Sequence, residues 1–266
     1  MFSLFHNFLP QPVFLKLGII TIYWYGLFIV LGIIAALFLV LLLARRFKIN
    51  PEIIWDLSFY LVLFGIIGAR IYEIFLEFPY YVNHPTQILK IWEGGLAIHG
   101  AIIAGAITLF IYIKKNKLDF WPLLAIIAPG IALGQAIGRF GNWFNQELFG
   151  LPTNLPWGIP IALVNRPLEF INQNFFHPTF LYESLGSLLI AIFLFTWLYN
   201  QKNNLSKQVA MKISASYLAL YSLLRFGLEF IKVDKTPMFI GLRWPQVISL
   251  IIIIVAIIIY QKSSHA

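Results

Sequence analysis

The chain has 266 residues, of which 60% are hydrophobic and 11% are charged, and its formal net charge at pH 7 is +8. Soluble domains usually carry about 45–50% apolar and about 25% charged residues, so an ordinary water-soluble protein is excluded. The surplus of Lys and Arg indicates membrane topology and anionic lipid headgroups, and since the chain has no long basic tract we expect no nucleic-acid partner. The composition therefore indicates a polytopic membrane protein.

Seven apolar stretches approach the length of about 20 residues that a helix needs to cross a bilayer. The sequence therefore predicts an all-α integral membrane protein, a bundle of seven transmembrane helices that forms a single polytopic domain over residues 1–266. In chain order, the spans are expected at residues 19–43, 53–76, 95–113, 120–138, 179–199, 213–231 and 245–260.

Basic residues concentrate in the short segments that follow the odd-numbered spans. These segments hold ten of the 19 Lys and Arg residues, whereas the longer segments on the opposite side hold six. Because cytoplasmic loops are enriched in Lys and Arg, we expect an N-terminus outside the cytoplasm and a C-terminus inside it. Because seven is an odd number of spans, it places the two termini on opposite sides of the membrane, as this orientation requires.

The longest segment between spans, residues 139–178, lies outside in this orientation. Its five prolines exclude one continuous helix. It is also rich in Trp and Phe, which are favoured at the interface between membrane and water. We therefore expect an outward-facing, partly helical interfacial region between spans 4 and 5.

The sixth span carries Tyr221, Arg225 and Glu229 at intervals of four residues, which places them on one helical face. A charged side chain at the bilayer centre costs at least about 2.5–3.5 kcal/mol, so these residues require an explanation. One explanation is a structural ion pair between Arg225 and Glu229. The other is that Arg225 faces a cavity that takes an anion, while Glu229 orients the guanidinium.

The third span begins EGGLAIHGAIIAGA, where small residues allow neighbouring helices to approach closely. His99 and Gly100 lie within this surface. His99 is either a hydrogen-bonded structural histidine or a group that transfers protons, since imidazole exchanges protons readily near neutral pH.

The fourth span is followed directly by a polar cluster that includes Arg139, Asn142 and Glu147. One interpretation is a helix end with interfacial anchors. The other is a site in which Arg139 forks to a phosphate while Asn142 and Glu147 fix hydroxyl groups.

Metal chemistry is not expected from this sequence. The chain contains no cysteine. His99 and His177 have no nearby ligand set with the spacing of a metal site. The absence of cysteine also excludes a thiol nucleophile within the chain itself.

A transporter, or another lipid-translocating protein, is the competing class, since intramembrane Arg, Glu and His also line translocation paths. The odd number of spans, the lack of paired repeats and the clustering of polar groups toward one side argue against it.

Residues 138–150, GRFGNWFNQELFG, closely resemble the motif G-R-x-G-N-F-x-N-x-E-x-x-G of the prolipoprotein diacylglyceryl transferases. Trp143 stands where Phe is usual, and the stretch LRWPQ at 242–246 matches less well. Further matches follow in the family's order: YWYG at 23–26, GARIY at 68–72, WEGGLAIHG at 92–100, HPTFLYE at 177–183 and YSLLRFGLEFIK at 221–232.

The resemblance implies a multi-pass enzyme of the bacterial plasma (inner) membrane with no metal or dissociable cofactor. Its substrates would be phosphatidylglycerol and the lipobox cysteine of a prolipoprotein signal peptide, in contact with membrane lipids. The enzyme would move the sn-1,2-diacylglyceryl group to that thiol, forming a thioether and releasing glycerol 1-phosphate.

The resemblance also implicates ten residues. As catalytic groups we expect His99 to take the thiol proton, and Arg139 and Arg225 to hold the phosphodiester. The residues expected to bind substrate are Tyr25, Gly100, Arg139, Asn142, Glu147, Gly150, Tyr221 and Glu229.

Overall fold

The computed structural model describes residues 6–18, 20–202 and 205–265, and most of them are helical. Short 3-10 helices lie in the connections and at the end of the described chain. Eight α-helices have both ends within the described residues, namely α1 Trp24–Arg46, α2 Pro51–Leu76, α3 Phe78–Asn83, α4 Ile98–Lys115, α5 Phe120–Phe144, α6 Thr179–Tyr199, α7 Lys207–Leu228 and α8 Trp244–Lys262.

The described residues contain three short antiparallel strand pairs, one before α1 and two in connections between helices. In the third pair the connecting residues Ile240 and Gly241 both have positive φ, 51° and 76°, as a two-residue type I′ turn requires. The pairs are β1 Val13–Leu17 with β2 Ile20–Tyr23, β3 Ile159–Pro160 with β4 Phe175–Phe176, and β5 Met238–Phe239 with β6 Leu242–Arg243.

Six of the helices in the described part of the chain are long and apolar enough to cross a membrane, namely α1, α2, α4, α5, α6 and α8. This confirms the expectation of a helical membrane protein. Helix α7, at the place of the expected sixth span, has 22 residues but falls outside this set. Its sequence contains polar residues such as Ser214, Tyr217 and Arg225.

Three span boundaries differ from the expectation by more than four residues. Helix α7 begins at Lys207 rather than at residue 213. The first helix begins at Trp24 rather than at residue 19, because residues 20–23 pair with β1; residue 19 lies outside the described residues. Helix α5 continues to Phe144 rather than ending at residue 138. Its last turns accommodate Arg139 because a carboxylate from α6 neutralises the guanidinium.

The chain divides into two compact units, residues 1–43 with 124–266, and residues 44–123. In the larger unit, α1 and α5 approach closely because a Cβ on Gly32 would lie 3.0 Å from the carbonyl oxygen of Gly134. A buried cluster of mostly aromatic residues surrounds the end of α5, and in it the rings of Trp143 and Phe180 stack with centroids 5.2 Å apart. This packing fixes the end of α5 against the start of α6.

In the smaller unit, α2 and α4 pack against each other where Gly68 of α2 meets Gly100 of α4. A Cβ on Gly100 would lie 2.2 Å from the carbonyl oxygen of Gly68, and Tyr112 Oη donates to the carbonyl oxygen of Ile53 at 3.3 Å. These contacts run in opposite directions along the two helices, so α2 and α4 are antiparallel. Gly100 therefore has a packing role in the first turn of α4.

A buried arginine organises the segment that leads into α4. The guanidinium of Arg70 donates to the carbonyl oxygens of Ile88, Gly94 and Gly95 at 3.0, 2.8 and 2.6 Å, and to that of Gln87. Gly94 and Gly95 adopt positive φ. Arg70 thus fixes the backbone directly before the helix that carries His99.

We expect Gly100→Ala to lower the free energy of unfolding by about 1–3 kcal/mol, because the added methyl group overpacks the α2–α4 contact. The measurement is thermal unfolding of the detergent-solubilised protein, followed by tryptophan fluorescence.

Gly105→Ala is the matched control in the same helix, since the nearest atom to its added Cβ would lie 4.0 Å away. Equal melting temperatures for the two variants would contradict the packing role of Gly100.

Candidate active site

The carboxylate of Glu183, on the second turn of α6, is the centre of a polar cluster in the larger unit. Its Oε1 accepts hydrogen bonds from Arg139 Nη2 at 2.5 Å and from Tyr221 Oη at 3.1 Å. Its Oε2 accepts from Arg225 Nη1 at 3.0 Å and lies 3.7 Å from Lys232 Nζ. One carboxylate thus joins the end of α5, the end of α7 and the segment after α7.

The acidic side chain at the centre of this cluster is more deeply buried than the two arginines that pair with it. The side chain of Glu183 is 2% exposed, whereas those of Arg139 and Arg225 are 20% and 22% exposed. A buried carboxylate is stable only when it is paired and hydrogen-bonded, and the two arginines satisfy that condition. Each guanidinium has five N–H donors, so donors remain for a further anion.

Asn142 connects this cluster to the loop after α5. Its Oδ1 accepts from Arg139 Nη1 at 3.1 Å, and its Nδ2 donates to Glu147 Oε1 at 2.7 Å. Because one partner only donates and the other only accepts, the orientation of the amide is fixed. Gln146 and Leu148, on either side of Glu147, adopt positive φ.

Gly150 lies where three chain segments cross. An added Cβ would lie 2.7 Å from His177 Cβ, 2.8 Å from the carbonyl oxygen of Ile231 and 3.0 Å from Thr179 Cγ2. The backbone of Gly150 also forms a bridge with Lys232. Gly150 therefore holds the start of α6 and the segment after α7 together.

Glu229, directly after α7, has two cationic neighbours. Its Oε1 lies 3.3 Å from Arg243 Nε and its Oε2 lies 3.7 Å from Arg225 Nη2. The ion pair considered for Arg225 and Glu229 is therefore present, but Arg225 is closer to Glu183. Arg243 also donates to the backbone carbonyl oxygens of Glu229 and Lys232 at 2.9 and 2.7 Å.

Lys232 is an unexpected member of this group, and its side chain is 3% exposed. Burial, reinforced by the nearby Arg225 charge, lowers the pKa of Lys232 to about 8. We define the arginine–glutamate cluster as Arg139, Glu183, Arg225, Glu229, Lys232 and Arg243. With Lys232 protonated, its four cations exceed its two carboxylates by two charges.

The larger unit brings together most of the residues proposed from the sequence. Tyr25, at the start of α1, packs on the same motif, since a Cβ on Gly141 would lie 2.9 Å from its ring. The set that lies in or directly beside the cluster is Tyr25, Arg139, Asn142, Glu147, Gly150, Tyr221, Arg225 and Glu229.

His99 and Gly100 belong to the smaller unit. His99 is exposed in the first turn of α4, and its ring centroid lies 5.9 Å from that of Tyr72. Its imidazole makes no hydrogen bond to any residue that the structure describes. Gly100, proposed as a substrate-binding residue, is buried against Gly68.

Sequence reasoning missed Glu183, Lys232 and Arg243 as members of the site. Glu183 did carry a signal, because it is an acidic residue one turn into an apolar span, where charge is costly. Among the described residues, no group of three or more His, Asp or Glu could hold a metal ion.

We expect Glu183→Gln to lower the free energy of unfolding by about 3 kcal/mol, because it leaves the buried ends of several cations without their shared counter-charge. Thermal or denaturant unfolding in a fixed detergent measures the loss.

Glu169→Gln is the control, since Glu169 is an exposed acidic residue in the connection between α5 and α6. A change below about 0.5 kcal/mol in both variants would contradict the central role of Glu183.

Comparison of the chain with known proteins identifies its family. The family described as prolipoprotein diacylglyceryl transferase matches residues 12–261. A relative from Nostoc sp. is 42% identical over 241 residues, which cover 91% of this chain and 85% of the relative. Relatives from Synechococcus sp. and Prochlorococcus marinus are each 45% identical, covering 85% and 87% of this chain and 81% and 82% of their own.

All three relatives are named phosphatidylglycerol–prolipoprotein diacylglyceryl transferase. The match extends over nearly the whole chain. The chain belongs to the prolipoprotein diacylglyceryl transferase family.

Proposed function

We propose that the chain transfers the sn-1,2-diacylglyceryl group of phosphatidylglycerol to the lipobox cysteine thiol of prolipoproteins. The products are a thioether and glycerol 1-phosphate. The observation that carries this proposal is the arginine–glutamate cluster, whose surplus of two positive charges suits a phosphodiester. The names of the relatives support a transferase and give no support to a transporter.

In this reaction the substrate sulfur attacks an sp3 carbon of the glyceryl group. The S–C bond forms as the C–O bond to phosphate breaks, and the electron pair leaves with glycerol phosphate. Arg139 and Arg225 stabilise the charge that develops on the departing phosphate. Because Glu183 holds both guanidinium groups in place, little reorganisation is needed at that moment.

The acceptor thiol must lose a proton to become a good nucleophile. A free cysteine has a pKa of about 8.5, so only a small fraction is thiolate at neutral pH. We assign this proton to His99, directly or through water. The exposed imidazole of His99 makes no hydrogen bond to a described residue, so it is available for this role.

The remaining residues are assigned to the lipid headgroup. Tyr25, Asn142 and Glu147 offer hydroxyl, amide and carboxylate groups that can bind the hydroxyls of the headgroup glycerol. Tyr221 donates to Glu183 and orients it between the two arginines. Gly150 and Glu229 hold the surrounding backbone and Arg225 in place. Gly100, expected from the sequence to bind substrate, is assigned to position the helix that carries His99.

We further propose that α7 is the seventh transmembrane helix, sixth in chain order. Its polar face binds Glu183 and Gln135, which supports a span whose polar groups are buried in protein. The N-terminus is then extracytoplasmic and the C-terminus cytoplasmic in the bacterial inner membrane. Residues 139–178 form the outer interfacial region within a single polytopic domain, residues 1–266.

The function is tested with purified protein, phosphatidylglycerol vesicles and a fluorescent peptide that carries a lipobox cysteine. We expect a thioether-linked diacylglyceryl adduct by mass spectrometry, released glycerol phosphate, and at least about a 100-fold loss of rate in Arg139→Ala.

Arg45→Ala, which removes an exposed arginine from the last turn of α1, is the control and should retain activity. Absence of an adduct from folded protein in lipid would refute the transferase assignment.

We expect His99→Ala to reduce the transfer rate by about 100-fold at pH 7, the usual scale for loss of a general base, while the KM for lipid changes little. Steady-state kinetics with each substrate varied in turn provides the measurement. His84→Ala removes another exposed imidazole of the smaller unit and should be silent. Near-wild-type turnover in His99→Ala would contradict the assignment of His99 as the general base.

The pKa of Lys232 predicts a pH effect on lipid binding. As the pH rises through about 8, the ammonium group loses its proton and the cluster loses one positive charge. We expect the KM for phosphatidylglycerol to rise about threefold between pH 7 and 9.5, and to stay flat in Lys232→Arg, which remains charged. An identical rise in both proteins would place the titrating group elsewhere.

A further inference from the structure

A cavity of about 460 Å³ with several polar and charged lining residues lies in the larger unit, outside helices α1 to α8. It is formed by three connecting segments, residues 145–149, Asn165 with Pro167, and residues 233–235. A hydrophilic ligand can reach such a position, whereas an acyl chain is better solvated by the membrane.

The cavity adjoins the arginine–glutamate cluster through Glu147. The carboxylate of Glu147 lines the cavity and also accepts from Asn142, which in turn accepts from Arg139. On the other side, the lining begins at Val233, directly after Lys232 of the cluster. A ligand in the cavity would therefore sit beside the proposed position of the phosphate.

Several polar groups of the cavity are available to a ligand. The side-chain amide of Asn145, the carboxylate of Asp234 and the ammonium group of Lys235 make no hydrogen bond or ion pair with any described residue. Burial raises the pKa of Asp234, as expected for a carboxyl group in a partly closed site. Convergent polar groups in a concave site are typical of ligand-binding positions.

The charge of the cavity is opposite to that of the cluster. Among its charged lining residues, Glu147 and Asp234 are acidic and Lys235 is basic. A phosphate is therefore favoured at the cluster rather than in the cavity. The cavity also falls within the range of about 300–1,000 Å³ that is typical of ligand sites, larger than the six heavy atoms of a glycerol headgroup require.

We propose that this cavity binds the polypeptide acceptor, as an extended main-chain segment next to the acceptor cysteine. Peptide N–H groups donate to the carboxylate of Asp234, and peptide carbonyl groups accept from the amide of Asn145 and from Lys235. Such binding positions the acceptor sulfur beside the phosphate held by Arg139. This assignment rests on the proposed function, because it names the acceptor site of that reaction.

The first test is two-substrate kinetics on Asn145→Ala and Asp234→Asn. We expect the KM for the acceptor peptide to rise about three- to tenfold in each, the scale of one lost hydrogen bond. The KM for phosphatidylglycerol and the kcat should stay within about twofold of the wild type, since a merely structural defect would lower kcat as well.

Asn172→Ala is the matched control, because Asn172 is an exposed asparagine of the same connection that does not line the cavity. A raised KM for lipid with an unchanged KM for peptide would assign the cavity to the headgroup. No change in either constant would show that it binds no substrate, and both outcomes overturn the proposal.

The second test measures binding without turnover. Because the chain has no cysteine, Asn165→Cys and Asn172→Cys each provide one site for a benzophenone label. A lipobox peptide with serine in place of cysteine should cross-link from position 165 and not from position 172. If the peptide cross-links from position 165 but the protein transfers no diacylglyceryl group, the peptide site is supported and the proposed reaction is refuted. Transfer without a cross-link at position 165 would overturn the peptide site alone.

Discussion

Burial of the Glu183 carboxylate is the constraint on which the site depends. A carboxylate that is 2% exposed inside an apolar helical protein is stable only if cations and hydroxyl groups surround it. Those partners come from α5, α7 and the segment after α7, so the three elements must meet at one point on α6. The requirement of a single acidic residue thereby fixes the relative positions of both arginines.

The sequence predicted the helices well and the pairing within the site poorly. Apolar stretches such as 179–199 end where the structure ends them, because desolvation alone determines their length. The ion pair between Arg225 and Glu229 could be predicted from the sequence, because the two residues are only four positions apart on one helical face. The contacts of Glu183 with Arg139 and Arg225 span 44 and 42 residues, and no local pattern encodes which distant charge an isolated acidic residue meets. The end of α5 was placed too early for the same reason.

Two glycines of the family motif have steric explanations in this structure. Gly141 leaves room for the ring of Tyr25, and Gly150 leaves room for the crossing of segments at His177 and Ile231. Both glycines let functional side chains and backbone approach closely. Gly100 has the same packing role in the smaller unit, next to His99.

The surplus positive charge of the arginine–glutamate cluster has a consequence for the end of the catalytic cycle. A phosphodiester carries one negative charge, whereas the phosphate monoester that leaves carries about 1.5–2 at pH 7. With the phosphate at its proposed position beside the cluster, the same four cations attract the leaving product more strongly than the lipid from which it came. Product retention, rather than the displacement at carbon, then becomes a natural limit on turnover, relieved wherever water and salt reach the exposed faces of Arg139 and Arg225.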